Sequence, residues 1–342
     1  MTESNDIPGR RSRLPAEPST THAGLWHDVF PPVLRPKKKV GEAALHLRQV
    51  CGCPIPEGYP RAFGERKELL SAQRGDIEVS VTWLYEAEVL GRMIVGLGAG
   101  SVLEHQVRLQ HTWGVPEIPG SGLKGLASTT AHRYGSDSWK KSVEADGNVT
   151  ATGLDHQSLF GDTTHGGLVI FHDAWWIPEG NGLPLDLDVM TVHQREYYRD
   201  PGKHPPSDTE EPTPVSFLTA RGKYLVALTG PETWVRCAAE WLQLGLEREG
   251  IGAKTRAGYG RMKLARQVPS SVLADIAEFD ALLNDQSKVA REKLEEIRAN
   301  WADRIRALDP DQQKVIRQRM LRKFHVEKII RHRDDVLALL GI

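Results

Sequence analysis

The chain has 342 residues and a formal net charge of −1, enough for one large domain and an appendage, with no global basic field to draw nucleic acid in. No apolar run reaches the ~18 residues of a membrane span, and no apolar signal core opens the chain, so a cytoplasmic protein without membrane contact is expected. Three cysteines make no disulfide framework: Cys51-Gly52-Cys53 is too tight a pair for a zinc knuckle and Cys237 stands alone, so neither a metal nor another cofactor is expected.

Taken in order, Met1 to Pro18 is polar and reads as disordered, and residues 1–23 form a tail. From Gly24 to Leu70, prolines at 31, 32, 36, 54, 56 and 60 break any long element. Only Gly41–Val50 suits a helix, with Ala44, Leu47 and Val50 on one side. Lys37-Lys38-Lys39 fits a solvated surface or a phosphate contact. Ile77–Val89 suits a strand, with Val79, Val81, Trp83, Tyr85 and Ala87 alternating on one face. Gly96, Gly98 and Gly100 mark a turn. Ser101 stands where a dinucleotide fingerprint needs glycine, and no helix opens there.

Ile118-Pro119-Gly120-Ser121-Gly122-Leu123-Lys124-Gly125 follows. Pro119 holds Ile118 extended, Gly120 and Gly122 allow close backbone approach, and Ser121 suits an N-cap for a helix running to Tyr134. A helix N-terminus with Lys124 in its first turn favours an anion. The same residues also fit a plain loop-to-helix junction. A P-loop is excluded, because Lys124 precedes Gly125 and not a Ser or Thr.

Beyond Gly135, Ser136–Thr152 reads as a polar loop and Leu154–Phe160 as a short helix stopped by Gly161. Gly167–Ile177 reads as one buried strand and Leu183–Pro214 as a long functional loop. Val215–Leu228 gives two extended pieces broken at Arg221-Gly222. Pro231 starts a helix with Val235, Ala238, Ala239, Leu242 and Leu246 on one face and Gly250 as its stop. Arg261–Val268 is the last strand. The order strand, helix, strand, strand, helix, strand is the ferredoxin-like plan of an α+β domain, shared with RNA-recognition (RRM-like) domains. No aromatic RNP-type motif is present, so RNA contacts are expected from loops and not from the sheet face.

After Pro269, Leu294, Ile297, Trp301, Ile305 and Leu308 recur at helical spacing. Asp309-Pro310 starts a further helix, and a third is expected over Val326–Leu340. The predicted layout is thus a core over 24–268 and a helical extension over 269–342. Lys314–Arg333 carries many basic residues, a solvated face or a contact for RNA or an acidic partner.

Gly250-Ile251-Gly252-Ala253-Lys254-Thr255-Arg256-Ala257-Gly258-Tyr259-Gly260 lies between the last core helix and the last strand. Its glycines free the backbone, Lys254 and Arg256 supply charge, and Tyr259 offers a stacking face or a packing anchor. Two Gly/Lys-bearing loops, each at the end of a core helix, point to one ligand with several phosphates.

At this loop the chain resembles the RAMP superfamily of type III CRISPR effector complexes. R-M-I-V-G-L-G from Arg92, H-T-W-G-V-P-E-I-P-G-S-G-L-K-G from His111, D-V-M-T-V-H from Asp188 with Tyr197-Tyr198, and P-V-S-F-L-T from Pro214 narrow the likeness to the sixth RAMP subunit of Cmr-type (type III-B) complexes. It spans Gly24 to Val268; the tail and the extension lie outside it. The resemblance implies a non-catalytic subunit that holds the 3′ side of the crRNA, caps the backbone filament, and works with other Cmr-type subunits and target RNA in antiviral defence. Its RNA contacts would be Ser121 and Lys124 in the first motif and Lys254, Thr255 and Arg256 in the second. Gly120, Gly122, Gly252 and Gly258 would give close backbone approach.

The alternative is a RAMP-type, metal-independent endoribonuclease acting on CRISPR RNA. His156, His165, His172, Asp173, His193 and His204 crowd the middle of the chain, but none makes an H-x-x-x-H or H-E-x-x-H pair. Asp173 reads as a hydrogen-bonded structural acid. His193 with Asp188 is the pair a metal-free ribonuclease would use, the histidine acting as general base on a 2′-hydroxyl.

Overall fold

The computed structural model describes residues 22–28, 39–72, 80–98, 107–143, 149–179, 182–192, 194–200, 202–203, 205, 213–266, 278–285, 290–306, 313, 316 and 320. Residues 1–21 of the expected tail, Lys37-Lys38, Gly100-Ser101, His193, His204, Asp309-Pro310, the helix expected over Val326–Leu340 and nearly all of Lys314–Arg333 lie outside these, while the last tail residue, Ala23, already opens a helix. The chain divides into two units, Met1–Gln267 and Val268–Ile342.

In the first unit β1 (Ser80–Val89) is central. Trp83, Tyr85, Ala87 and Val89 are buried, at the alternation a pleated strand imposes. β1 pairs antiparallel with β9 (Lys223–Pro231) on one side and β10 (Met262–Arg266) on the other. β9 in turn pairs antiparallel with two short pieces, β5 (Ile170–Phe171) and β6 (Ala174–Trp176). With β2 (Glu117–Ile118) on β6, the order is β10-β1-β9-β6-β2. The single strand expected over Gly167–Ile177 is therefore interrupted at His172-Asp173, and Ile170 is exposed.

Two helices lie against this sheet and each other: α4 (Gly120–Tyr134) and α7 (Glu232–Arg248). The expected face of α7 is buried, Val235, Ala238, Ala239, Leu242 and Leu246 together, because 3.6-residue periodicity brings those positions onto one stripe. β9 is buried from Tyr224 to Gly230 without alternation, so both faces of the sheet are covered there. A further helix, α3 (Tyr59–Ala72), packs on β1. Its Tyr59 ring lies 6.1 Å from Trp175 and 6.4 Å from Trp176, and its hydroxyl donates to the Trp176 carbonyl at 2.5 Å. Pro60 thus breaks nothing. It stands in the first turn of α3, where a missing N–H forfeits no helical bond.

A second correction concerns Leu183–Pro214. Leu185–Val192 is not loop but a strand, β7, paired with β8 (Thr213–Ala220) from Leu185↔Ala220 to Val192↔Thr213. Leu185 and Leu218 of this hairpin share a small core with Trp26 of α1 (Ala23–Asp28) and Leu47 and Val50 of α2 (Lys39–Cys51). Between α4 and β5 the expected polar loop holds a β3–β4 hairpin (Lys141–Val143, Val149–Thr152), followed by α5 (Leu154–Phe160). A short helix, α6 (Arg195–Arg199), follows β7 and carries Tyr197-Tyr198.

The second unit packs α8 (278–284), α9 (Ala290–Glu296) and α10 (Ala302–Arg306), with a π turn over Ile297–Trp301. Ile297, Trp301 and Ile305 are buried as their spacing requires, and Phe279 meets Trp301 edge-on at 5.0 Å. Among the described residues no helix is long and apolar enough to cross a membrane.

Candidate nucleic-acid interface

α4 begins one residue before the expected cap. Pro119 occupies the N-cap place with φ −58° and ψ 138°, and Ser121 lies inside the helix without capping it. The cap comes from the sheet: Asp173, at the interruption between β5 and β6, accepts the Gly120 N–H at 2.7 Å. A carboxylate there complements the helix dipole, so one of the orphan N–H groups at this end already has an anion from within the chain. Gly120 is buried, and a Cβ on it would collide with the Phe171 carbonyl. It serves internal packing, not ligand approach. Ser121, Gly122 and Gly125 are exposed, a Cβ on Gly122 would meet nothing within 4 Å, and Lys124 has no ion-pair partner among the described residues.

The second glycine loop is stapled to the Arg92–Val95 segment. Ala253 N–H donates to Ile94 O at 2.7 Å, Gly260 N–H to Arg92 O at 2.8 Å, and Ile251 N–H to Gly260 O at 2.9 Å. Gly252 takes φ +90°, and a Cβ on it would collide with the Ile94 carbonyl, so this glycine also serves internal packing. Lys254 takes φ +56° ahead of a 3₁₀ turn over Thr255–Ala257. Lys254, Arg256 and Gly258 are exposed, and open space surrounds Gly258. Tyr259 is a packing anchor: its hydroxyl donates to Asp188 at 2.8 Å and its ring sits 6.1 Å from Phe217.

Asp188 also pairs with Arg92 at 2.8 Å, while Arg92 donates to Leu187 O at 3.1 Å. Burial pushes the Asp188 carboxyl up, but hydrogen bonds from Tyr259, the Val189 N–H and Arg92, together with the Arg92 charge, outweigh it and hold the group below the usual carboxylate range. Asp188 thereby ties the β7–β8 hairpin to the second glycine loop.

The two loops border one groove. α7 passes α4 at Gly245, where a side chain would press on Thr130 and Leu126. Just past α7, Glu249 is held at the far end of α4, accepting from Arg133 at 2.6 Å and from Tyr134 at 2.6 Å. The chain then reverses at Gly250, φ +78°. Gly250, Ile251 and Gly252 line one wall of a groove of about 370 Å³ whose other wall holds Pro119, Ser121 and Gly122. Arg133 and Glu249 close one end. Lys124 and Arg256 do not share this groove.

Lys124 opens instead into a larger cleft of about 700 Å³, walled by α4, β3, β4 and α5. There the Lys141 ammonium donates to Ser128 Oγ at 2.9 Å, and Ser128 Oγ lies 3.0 Å from His156 Nε2. Burial, then the nearby Lys141 charge, lower the His156 pKa to about 4. Burial also lowers that of Lys141. Neither Ser128 nor Lys141 carries a sequence signal, since no spacing links residues on three separate elements.

A model of the RAMP superfamily matches residues 86–263, from the middle of β1 to the start of β10 and across both loops. The chain belongs to the RAMP superfamily. It is similar to the CRISPR system Cmr subunit Cmr6 of Pyrococcus furiosus, with 29% identity over 219 residues, 50% of this chain and 64% of that protein. The chain therefore spans less than two thirds of that relative's length. Two solved structures are also similar. One is a chain of the type III-B Cmr-beta complex bound to cognate target RNA, at 19% identity, with 68% of this chain and 75% of that chain covered and a TM-score of 0.49. The other is Cmr6 from Pyrococcus furiosus, at 27% identity, with 56% and 100% covered and a TM-score of 0.35.

In this RAMP domain the pair proposed for base catalysis is not assembled by what is described. Asp188 has its carboxylate engaged by Arg92 and Tyr259, and His193 lies outside the described residues. Of the other histidines, His172 pairs with Thr229 at 2.9 Å and His165 is exposed beside Asp162. Among the described residues no group of three His, Cys, Asp or Glu is placed to hold a metal. The Cys51 and Cys53 thiols are pushed up by burial, to about 12 and about 11, away from thiolate reactivity.

Proposed function

We propose that this chain is a non-catalytic crRNA-binding subunit of a type III-B CRISPR ribonucleoprotein. It would cap the backbone filament at the crRNA 3′ side, beside other Cmr-type subunits and target RNA, in the cytoplasm. The observation that carries the reading is the groove between the start of α4 and the loop after α7. One wall offers exposed Ser121 and Gly122. The other continues into a loop that carries exposed Lys254 and Arg256, neither with a carboxylate partner among the described residues. An exposed hydroxyl and an unobstructed glycine beside exposed cations suit phosphates, which position a strand without reading its bases. Family membership and the likeness to Cmr6 point the same way.

The core fits a ferredoxin-like plan: β10-β1-β9-β6 is the antiparallel order of fourth, first, third and second strand. RRM-type domains on that plan bind RNA by stacking on an open sheet face. Here β9 is buried on both faces, which leaves loops and helix ends to make the contacts. Asp188, fixed between Arg92 and Tyr259, acts as a tie between hairpin and loop in this reading and not as a catalytic acid.

Incubation of the purified chain with labelled repeat RNA tests it. Retarded, intact RNA is the expected result. Discrete fragments formed without metal would overturn the non-catalytic reading, and unretarded RNA would overturn the RNA-binding one.

A further inference from the structure

We propose that the cleft between α4, α5 and the β3–β4 hairpin seats a phosphate group on the Lys124 and Lys141 ammonium groups. RNA as the source of that phosphate rests on the function proposed above; the cleft chemistry does not.

The cleft, about 700 Å³, is lined by both lysines, by Ser121 and Ser128, and by His156 and Asp162. Lys141 gives Ser128 Oγ one of its three protons, at 2.9 Å. Neither lysine has a carboxylate partner among the described residues. The acid on the wall is already committed: Asp162 accepts from the Thr164 N–H, the Thr164 hydroxyl and the His165 N–H, each at 2.7 Å, and from Gln157. Lys141 is half-buried, and partial burial of an ammonium without a counter-ion is unfavourable and lowers its pKa.

The network below the lysine is also incomplete. Ser128 Oγ accepts from Lys141, which leaves its own proton for His156 Nε2 at 3.0 Å. His156 Nδ1 is buried and has no partner, in a residue only 1% exposed. Buried polar networks of this kind are normally fully satisfied. An anion with several oxygens placed between two ammonium groups and the Ser121 hydroxyl would compensate the charge that the chain leaves unpaired. Ser121 and Gly125 line both this cleft and the groove beside the second glycine loop, so a strand leaving the groove reaches the cleft across the exposed first turns of α4.

The test uses the full chain and the variant Lys141→Met, which keeps an unbranched stem of similar length against the cleft wall. RNA affinity is measured against salt. Loss of one phosphate contact makes the log–log slope shallower by about 0.7 for a single strand, with several-fold weaker binding that Lys141→Arg restores. Wild-type affinity and slope in a folded Lys141→Met would overturn the proposal and leave the RNA-binding function standing. If the wild-type chain binds no RNA, that function has failed, and the cleft is tested with inorganic phosphate while the His156 ring-proton resonances are followed. A saturable shift in wild type that Lys141→Met abolishes upholds the cleft. No shift in wild type overturns it without recourse to a variant, as would equal competition by an acidic peptide.

Discussion

Two glycines of the paired loops make opposite predictions on substitution. Gly252 holds φ +90° and faces the Ile94 carbonyl. An alanine there adopts a left-handed backbone, at about 1–2 kcal/mol, and its Cβ must displace the loop from Ile94. That breaks the Ala253 N–H bond to Ile94 O, now 2.7 Å, for about 1 kcal/mol more. Gly252→Ala should therefore lower stability by about 2–3 kcal/mol, read as a lower urea midpoint at unchanged slope. Gly122 is helical and exposed with open space around it, so Gly122→Ala should leave stability unchanged or raise it by up to about 1 kcal/mol. Its effect should fall on RNA affinity, because a methyl group there stands where a phosphate backbone approaches. A Gly252→Ala protein within about 0.5 kcal/mol of wild type would refute the stapled loop. Wild-type RNA affinity in Gly122→Ala would refute close approach at α4.

Three further outcomes follow from the interior. Asp188→Asn removes the ion pair with Arg92 and should cost on the order of 1 kcal/mol by thermal unfolding. Because the folded pKa of Asp188 lies below the usual carboxylate range, its contribution is present above the unfolded value and lost as pH falls through the folded one. The variant should be less acid-sensitive in that window. His156 adds to the same acid sensitivity from a higher pH: its pKa falls from 6.5 to about 4 on folding, so the unfolded chain binds its proton first. Stability should drop as pH falls from about 6.5 toward about 4, and His156→Gln should flatten that part of the profile. Tyr59→Phe orphans the buried Trp176 carbonyl and should lower stability by about 1–2 kcal/mol without changing RNA binding.

What could be read from the chain alone follows from which signals are local. The 3.6-residue face of α7 and the Trp83-Tyr85-Ala87 alternation are properties of single elements, and both lie buried where expected. The LDLDVMTV alternation of β7 was equally local, but surrounding prolines and polar residues hid it in a long loop. Pro60 looks like a breaker in sequence because its effect depends on where a helix starts, which only the packing of Tyr59 against Trp175 and Trp176 decides. Ser121 loses the cap position to Asp173, 53 residues from the Gly120 N–H that it accepts, and no sequence spacing announces such a partner. The motif glycines looked alike in sequence, yet Gly120 and Gly252 face carbonyls of the chain itself while Gly122 and Gly258 face open space. The Lys141, Ser128 and His156 cluster is wholly tertiary, assembled from β3, α4 and α5.

The central claim is that the start of α4 and the loop after α7 hold one RNA backbone. Lys124 and Arg256 lie on the two elements that wall this groove without lining it themselves, and neither has an ion-pair partner among the described residues. The decisive measurement is the salt dependence of RNA affinity for Lys124→Ala/Arg256→Ala beside wild type, with circular dichroism as the check on folding. Loss of two phosphate contacts should make the log–log slope shallower by about 1.4 for a single-stranded ligand. A folded double mutant with wild-type affinity and slope would contradict the account and leave both loops as structural turns.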